Sequence, residues 1–265
     1  MYLQPDEPIE KAKEKTHRMT EVCNVYYCLF DEFIDEQAMS AMFGWLSPIE
    51  KHCIVSLRHE KVRHSQLISR ALLRFVLTQH HAVPPFTWRF GVLPNGKPVI
   101  ANPITSPSLN FNISHTDRIL AIAIARGLPT GIDIENTHNP ALEIDTVESF
   151  FSPGELDFLE KTNESDQQKA LFQIWTAKEA FTKCIGTGLS MALNTFTIKI
   201  SEKNQLPYLE FCEYDPDIKD DFIFDTYEPT EKEIITVCLR RKDPKHRRYF
   251  VYNRISRRDI NALCT

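Results

Sequence analysis

Residues 119–135 read Ile119-Leu120-Ala121-Ile122-Ala123-Ile124-Ala125-Arg126-Gly127-Leu128-Pro129-Thr130-Gly131-Ile132-Asp133-Ile134-Glu135. Ile119 to Ala125 is an unbroken apolar run bounded by turn-forming residues, which predicts a strand. Arg126 to Thr130 is polar and turn-forming and ends it. Gly131 to Glu135 then alternates, which predicts a second strand. Its Ile132 and Ile134 point to one face and into the core, while Asp133 and Glu135 share the other. The break at Arg126–Thr130 places a boundary between an N-terminal half, residues 21–128, and a C-terminal half, residues 129–265.

On the N-terminal side, Val22–Phe30 reads as a strand and Ala38–Trp45 as a short helix. Lys61–Gln79 predicts a long helix, since Leu67, Ala71 and Phe75, and Ile68, Leu72 and Val76, recur at spacing four. Pro84-Pro85 ends it. Trp88–Val92 and Leu109–Ile113 read as strands flanking the turn Pro94-Asn95-Gly96-Lys97-Pro98. On the C-terminal side, Ser152-Pro153-Gly154-Glu155 is a helix start with a cap, a first-turn proline and a capping-box glutamate. A longer helix over Asp166–Ile185 stops at Gly186 and buries Leu171, Ile174, Phe181 and Ile185. Strands follow at 195–200, 208–212, 222–227, 234–239 and 249–252, then a helix opened by Ser256. Consecutive strands joined by short turns predict antiparallel sheets and an α+β fold. No repeat between the halves is evident in the residues.

The chain has 265 residues, 42% of them hydrophobic, enough for one large domain or two modest ones. A formal net charge of -5 argues against nucleic acid or anionic lipid as a general partner. Residues 1–20 read as a poorly ordered leader without an apolar targeting core, and no run is long enough to span a membrane. Seven cysteines without a Cys-x-x-Cys pair read as buried reduced thiols, which places the chain in the cytoplasm.

Five groups of residues can carry chemistry. Asp133 and Glu135, one pleat apart, repel each other unless a cation lies between them, and hard oxygen donors of this kind suit Mg²⁺. The plain alternative is two solvated acids on an exposed strand face. Glu179 and Lys183, four apart in Trp175-Thr176-Ala177-Lys178-Glu179-Ala180-Phe181-Thr182-Lys183, stand one above the other on a helix. They are either a surface ion pair or a third metal carboxylate with an ammonium beside it. Ser114-His115-Thr116, closing the strand that begins Asn110-Phe111-Asn112-Ile113, offers donors suited to phosphate oxygens, or simply a polar turn. It is no hydrolase triad, because neighbouring strand residues face opposite ways and no Gly-x-Ser-x-Gly elbow is present. Asn95-Gly96-Lys97-Pro98 is a ligand-approaching turn with a point charge, or a plain hairpin; it lacks P-loop spacing. Arg63, Arg70 and Arg74 along the long helix form an anion face or a solvated one.

In order and spacing, the series N-G-K-P, N-I-S-H-T, G-I-D-I-E and W-T-A-K-E-A-F-T-K resembles the phosphopantetheinyl transferases. It is most similar to the large surfactin-synthetase-activating type, over about Ser47 to Leu193 and including Gly186-Thr187-Gly188-Leu189-Ser190. The resemblance implies a pseudo-dimer of two similar α+β halves, each a small antiparallel sheet on a long helix, and hence a monomer. It implies transfer of 4′-phosphopantetheine from coenzyme A, bound between the halves, to a serine of an apo acyl or peptidyl carrier protein. By the same resemblance Asp133, Glu135 and Glu179 hold Mg²⁺. Glu179 takes or orients the serine proton, and Lys183 neutralises charge on the leaving phosphate. Ser114, His115 and Thr116 contact cofactor phosphates, and Lys97 the nucleotide end. Where many relatives carry an arginine this chain has Ser65, and Arg63 is the substitute; Lys51 is a further candidate. Another Mg²⁺-dependent phosphotransferase, or an inactive carrier-binding relative, are the competing readings.

Overall fold

The structure is a computed structural model that describes residues 20–102, 108–241, 243 and 247–264. The leader expected over residues 1–20 therefore lies, apart from Thr20, outside the described residues. The N-terminal elements are β1 (Thr20–Leu29), α1 (Glu36–Gly44), α2 (Pro48–Ser56), α3 (Glu60–His80), β2 (Phe90–Val92), β3 (Pro98–Ile100), β4 (Leu109–His115) and β5 (Ile119–Arg126). They are followed by β6 (Thr130–Asn136), α4 (Pro153–Lys161), α5 (Glu164–Ile185), β7 (Phe196–Ile200), β8 (Pro207–Cys212), β9 (Phe222–Tyr227), β10 (Glu233–Arg240), β11 (Arg247–Arg254) and α6 (Arg257–Cys264).

Local rules account for most of these limits. Ser152 caps α4 and Glu155 closes its capping box. Gly186 ends α5 in the left-handed region at φ 76°, its N–H bonded to the Thr182 carbonyl at 2.9 Å. Helix α2 was not expected from the sequence, yet it opens with the same device, Ser47-Pro48-Ile49-Glu50, as a full capping box.

Two similar subdomains stack back to back. In the first, α3 lies on one face of a sheet ordered β11-β1-β5-β4, packing Ile68, Leu72 and Val76 against Phe111, Ile122 and Ile124. In the second, α5 lies on a sheet ordered β6-β10-β9, packing Ala177, Ala180 and Phe181 against Phe224, Ile234 and Cys238. The opposite faces of the two sheets meet in a third core, where Cys23, Val25, Ala121 and Ala123 touch Ile132, Ile134, Ile235 and Val237. Strand β5 is thus buried on both faces, which is why its sequence has no polar position before Arg126.

The expectation of purely antiparallel sheets fails at one place. β11 pairs with β1 in parallel, from Thr20↔Arg247 to Tyr27↔Arg254. Nor do residues 129–265 stay together as one half: β11 completes the first sheet, and Ile255 and Ile260 join the core under α3. Parallel neighbours need a long connection, and here almost the whole chain supplies it. The basic run Lys245–Arg248 lies partly outside the described residues. Its Arg248 is well buried, with Nε 2.8 Å from Glu21. Tyr252 stacks on Tyr227 at 4.5 Å and donates to Asp225 at 2.9 Å, so the tail also grips the second subdomain. Ile260 is fully buried. Ile260→Ala is expected to cost about 2–5 kcal/mol, measured by urea unfolding, although it lies far from the acidic residues in sequence.

Candidate active site

The site begins at a glycine. A side chain on Gly131 would overlap the Ala180 carbonyl oxygen and stand 2.5 Å from the Cys184 amide nitrogen. Without one, the backbones of β6 and α5 come into direct contact. Small groups continue the seam. The Thr176 and Thr236 hydroxyls share a buried hydrogen bond of 2.7 Å, and the Cys184 thiol lies 3.3 Å from the Pro129 carbonyl.

That contact brings β6 and α5 chemistry together. The Lys183 ammonium is 2.6 Å from Asp133 Oδ1 and also donates to Ser114 Oγ at 3.2 Å. Ser114 in turn donates to the same Asp133 oxygen at 2.8 Å. Asp133 is buried, and its Oδ2 finds no hydrogen-bond partner among the described residues. Strand β4 is held against β6 by Asn112, whose side-chain oxygen accepts the Ile132 N–H at 2.9 Å. Glu135 and Glu179 are half-buried. Burial raises the Glu135 carboxyl above its ordinary range, as does the Asp133 charge, against an opposing bond from Asn139. Glu179 is raised by the same two causes, with Lys183 pulling the other way. Glu135 and Glu179 thus each feel the Asp133 charge, with the Lys183 ammonium opposing it in both cases.

The three carboxylates do not close into a ready ligand shell. Among the described residues no group of three or more His, Cys, Asp or Glu side chains is close enough to hold a metal ion. Lys183, not a third carboxylate, is the charged partner of Asp133. The expected phosphate-binding residues are also largely committed elsewhere. Ser114 is turned inward to Asp133. Thr116 accepts the N–H groups of Arg118 and Ile119 and so shapes the β4–β5 turn. His115 is exposed, with Nδ1 3.0 Å from the Thr116 carbonyl and its ring edge-on to Phe30. Arg63 donates to the Leu57 and Arg58 carbonyls just beyond α2. Lys51 lies over the Phe43 ring.

Lys97 has an unexpected task. Its ammonium donates to the Lys183 carbonyl at 2.7 Å, and the Asn95 amide donates to the Gly186 carbonyl. The Asn-Gly-Lys-Pro turn of the first subdomain therefore caps the C-terminus of α5 in the second, satisfying carbonyls that every helix end leaves open. Burial lowers the Lys97 ammonium from its usual range.

Sequence reasoning missed two buried cations. Lys178 is fully buried, with its ammonium 2.6 Å from both oxygens of Glu155 and 2.8 Å from the Phe196 carbonyl. Burial lowers its ionisation to about 8 despite the glutamate. Arg74, expected on an anion face or in solvent, is 1% exposed and bound to Glu50 at 2.6 Å. Both acids are capping-box glutamates, and a Ser-Pro-x-Glu start with a basic residue two dozen positions later was the available signal.

Comparison with known proteins adds a second line. Residues 129–238 match the family described as the 4'-phosphopantetheinyl transferase superfamily, and residues 35–126 match a 4'-phosphopantetheinyl transferase N-terminal region. A 4'-phosphopantetheinyl transferase of Bacillus subtilis is 31% identical over 185 residues, covering 70% of this chain and 78% of its own. The chain belongs to the 4'-phosphopantetheinyl transferase family. The Sfp transferase of Bacillus subtilis strain 168 is 28% identical over 83% of this chain and 93% of its own. A mouse relative, L-aminoadipate-semialdehyde dehydrogenase-phosphopantetheinyl transferase, is 25% identical over 82% of this chain and 75% of its own. The two matched regions meet at the β5–β6 turn, the break that the sequence marks with Arg126–Thr130. In this transferase, Gly131→Ala is expected to force α5 off β6, cost about 3 kcal/mol, and abolish turnover. Thermal unfolding and a transfer assay measure the two effects.

Proposed function

We propose that the protein transfers the 4′-phosphopantetheine group of coenzyme A to a serine hydroxyl of an apo acyl or peptidyl carrier protein, releasing adenosine 3′,5′-bisphosphate. The observation that carries this reading is the Asp133–Lys183–Ser114 cluster, with Glu135 and Glu179 charged into it, in a chain of the transferase family.

In the reaction the serine oxygen bonds to the phosphorus bearing pantetheine, and that phosphorus loses its bond to the oxygen bridging the diphosphate. Little covalent work falls to the protein in such a displacement; positioning and charge neutralisation carry the rate. Lys183 is placed to balance negative charge growing on the leaving phosphate. Its ammonium is already held among oxygens by Asp133 and Ser114, so its orientation is set before substrate arrives. Glu179, one turn earlier on α5, takes or orients the proton of the serine hydroxyl.

The residues also fit Mg²⁺. The fit rests on the buried Oδ2 of Asp133, which has no hydrogen-bond partner among the described residues and is a hard oxygen donor with two further carboxylates coupled to it. Mg²⁺ commonly takes one or two protein carboxylates and completes its shell with substrate phosphates and water, so no preformed three-carboxylate cage is needed. Asp133, with Glu135 and Glu179, would hold it. When bound, the ion supplies charge neutralisation to the diphosphate.

The described residues include no helix long and apolar enough to cross a membrane. Among the cysteines whose side chains are described, six are free and five of those are buried. Reduced thiols support a cytoplasmic place for the enzyme, and two subdomains within one chain support a monomer.

Incubation with coenzyme A, Mg²⁺ and a panel of apo carrier proteins is expected to add one phosphopantetheine to a carrier, seen as a mass shift. A folded protein that modifies no carrier would overturn the proposal. Removing divalent metal with EDTA is expected to stop transfer, and added Mg²⁺ to restore it. Lys183→Ala is expected to lower kcat by about 10²–10³, with the fold retained by circular dichroism.

A further inference from the structure

We propose that Lys178, pinned by Glu155, is a positioning residue that sets the rotation of α5 about its axis and so turns Glu179 and Lys183 toward Asp133. The inference rests on the reading of Asp133, Glu179 and Lys183 given above.

Lys178 and Glu179 are neighbours on a helix, so their side chains leave the axis about 100° apart. Fixing the direction of one fixes the other. The Lys178 ammonium has three protons, and all three find acceptors: Glu155 Oε1, Glu155 Oε2 and the Phe196 carbonyl. The charge also lies 4.3 Å from the centre of the Phe196 ring. A leucine in this place could slide or turn within the core; a triply bonded ammonium cannot. Glu155 is itself immobilised, since it accepts the Ser152 N–H at 2.8 Å and the Ile198 N–H at 2.7 Å. One carboxylate therefore ties the start of α4, strand β7 and the middle of α5 together.

Stability alone does not explain the pair. A buried ion pair is often replaced by apolar residues at no loss, whereas removing one partner is costly. Directional specificity is the property an apolar pair would lack. The first subdomain supports this, because it repeats the device. Capping-box Glu50 holds buried Arg74, 24 residues later, as Glu155 holds Lys178, 23 residues later. After Arg74 comes Phe75, a core residue. After Lys178 comes Glu179. The same pin orients both long helices, but only in the second does the next side chain belong to the site.

The test compares Lys178→Met, the double variant Glu155→Gln/Lys178→Met, and a control, Glu50→Gln/Arg74→Met. The expected result is a fall in kcat of at least tenfold in both Lys178 variants, with KM for coenzyme A within twofold of the parent. The control is expected to keep kcat within twofold. Amide hydrogen exchange across residues 179–186, without substrate, is expected to rise at least tenfold in the Lys178 variants. If Lys178→Met alone fails to fold, the double variant, which leaves no buried charge unpaired, carries the comparison. A folded double variant with kcat within twofold and unchanged exchange would overturn the proposal and leave the pair a purely structural one. If the parent protein modifies no carrier, the proposed function fails and the exchange measurement alone decides the role of Lys178.

Discussion

The contact between the backbones of β6 and α5 at Gly131 is the constraint from which the site follows. Any side chain there would strike Ala180 and Cys184. With the glycine, the strand carrying Asp133 and Glu135 and the helix carrying Glu179 and Lys183 approach until Lys183 reaches Asp133. The alternation of a strand and the four-residue spacing of a helix then do the rest. Asp133 and Glu135 share one strand face, and Glu179 and Lys183 share one helix stripe.

The surrounding structure defends that contact from three sides. Behind the strand, Ile132 and Ile134 are packed into the core shared by the two sheets. At the end of the helix, Asn95 and Lys97 from the first subdomain hold the last carbonyls of α5. Within the second subdomain, Glu155 holds Lys178. The last two are polar and directional, while the first is apolar and supplies mass. Gathering like-charged carboxylates works against folding, since the Asp133 charge raises both Glu135 and Glu179. Large apolar faces and fixed cations on either side are what make it tolerable.

Much of this was legible in the residues. The alternation Gly131–Glu135, the ridges of α3, the capping box at Ser152 and the stop at Gly186 follow from short-range rules, and the structure repeats them within a few residues. The apolar run Ile119–Ala125 pointed to a buried strand, and β5 proves buried on both faces. What was not legible depends on distant partners. Nothing local to Arg247–Arg254 says that it pairs in parallel with β1. Nothing in Asn-Gly-Lys-Pro says that a hairpin turn will cap a helix from the other subdomain. The groups that enclose the Lys178 ammonium, Glu155 and Phe196, are distant from it in sequence. The short helix α2 is different: its Ser-Pro-Ile-Glu start carried the same signal as α4.

The central claim is that strand and helix meet to form one anion- and cation-handling locus at Asp133. Crystals grown with coenzyme A and Mn²⁺ in place of Mg²⁺ test it directly through anomalous scattering. The account predicts a manganese peak within bonding distance of the Asp133 carboxylate, beside the diphosphate. A well-ordered coenzyme with its metal bound elsewhere, and Asp133 still held only by Lys183 and Ser114, would contradict it.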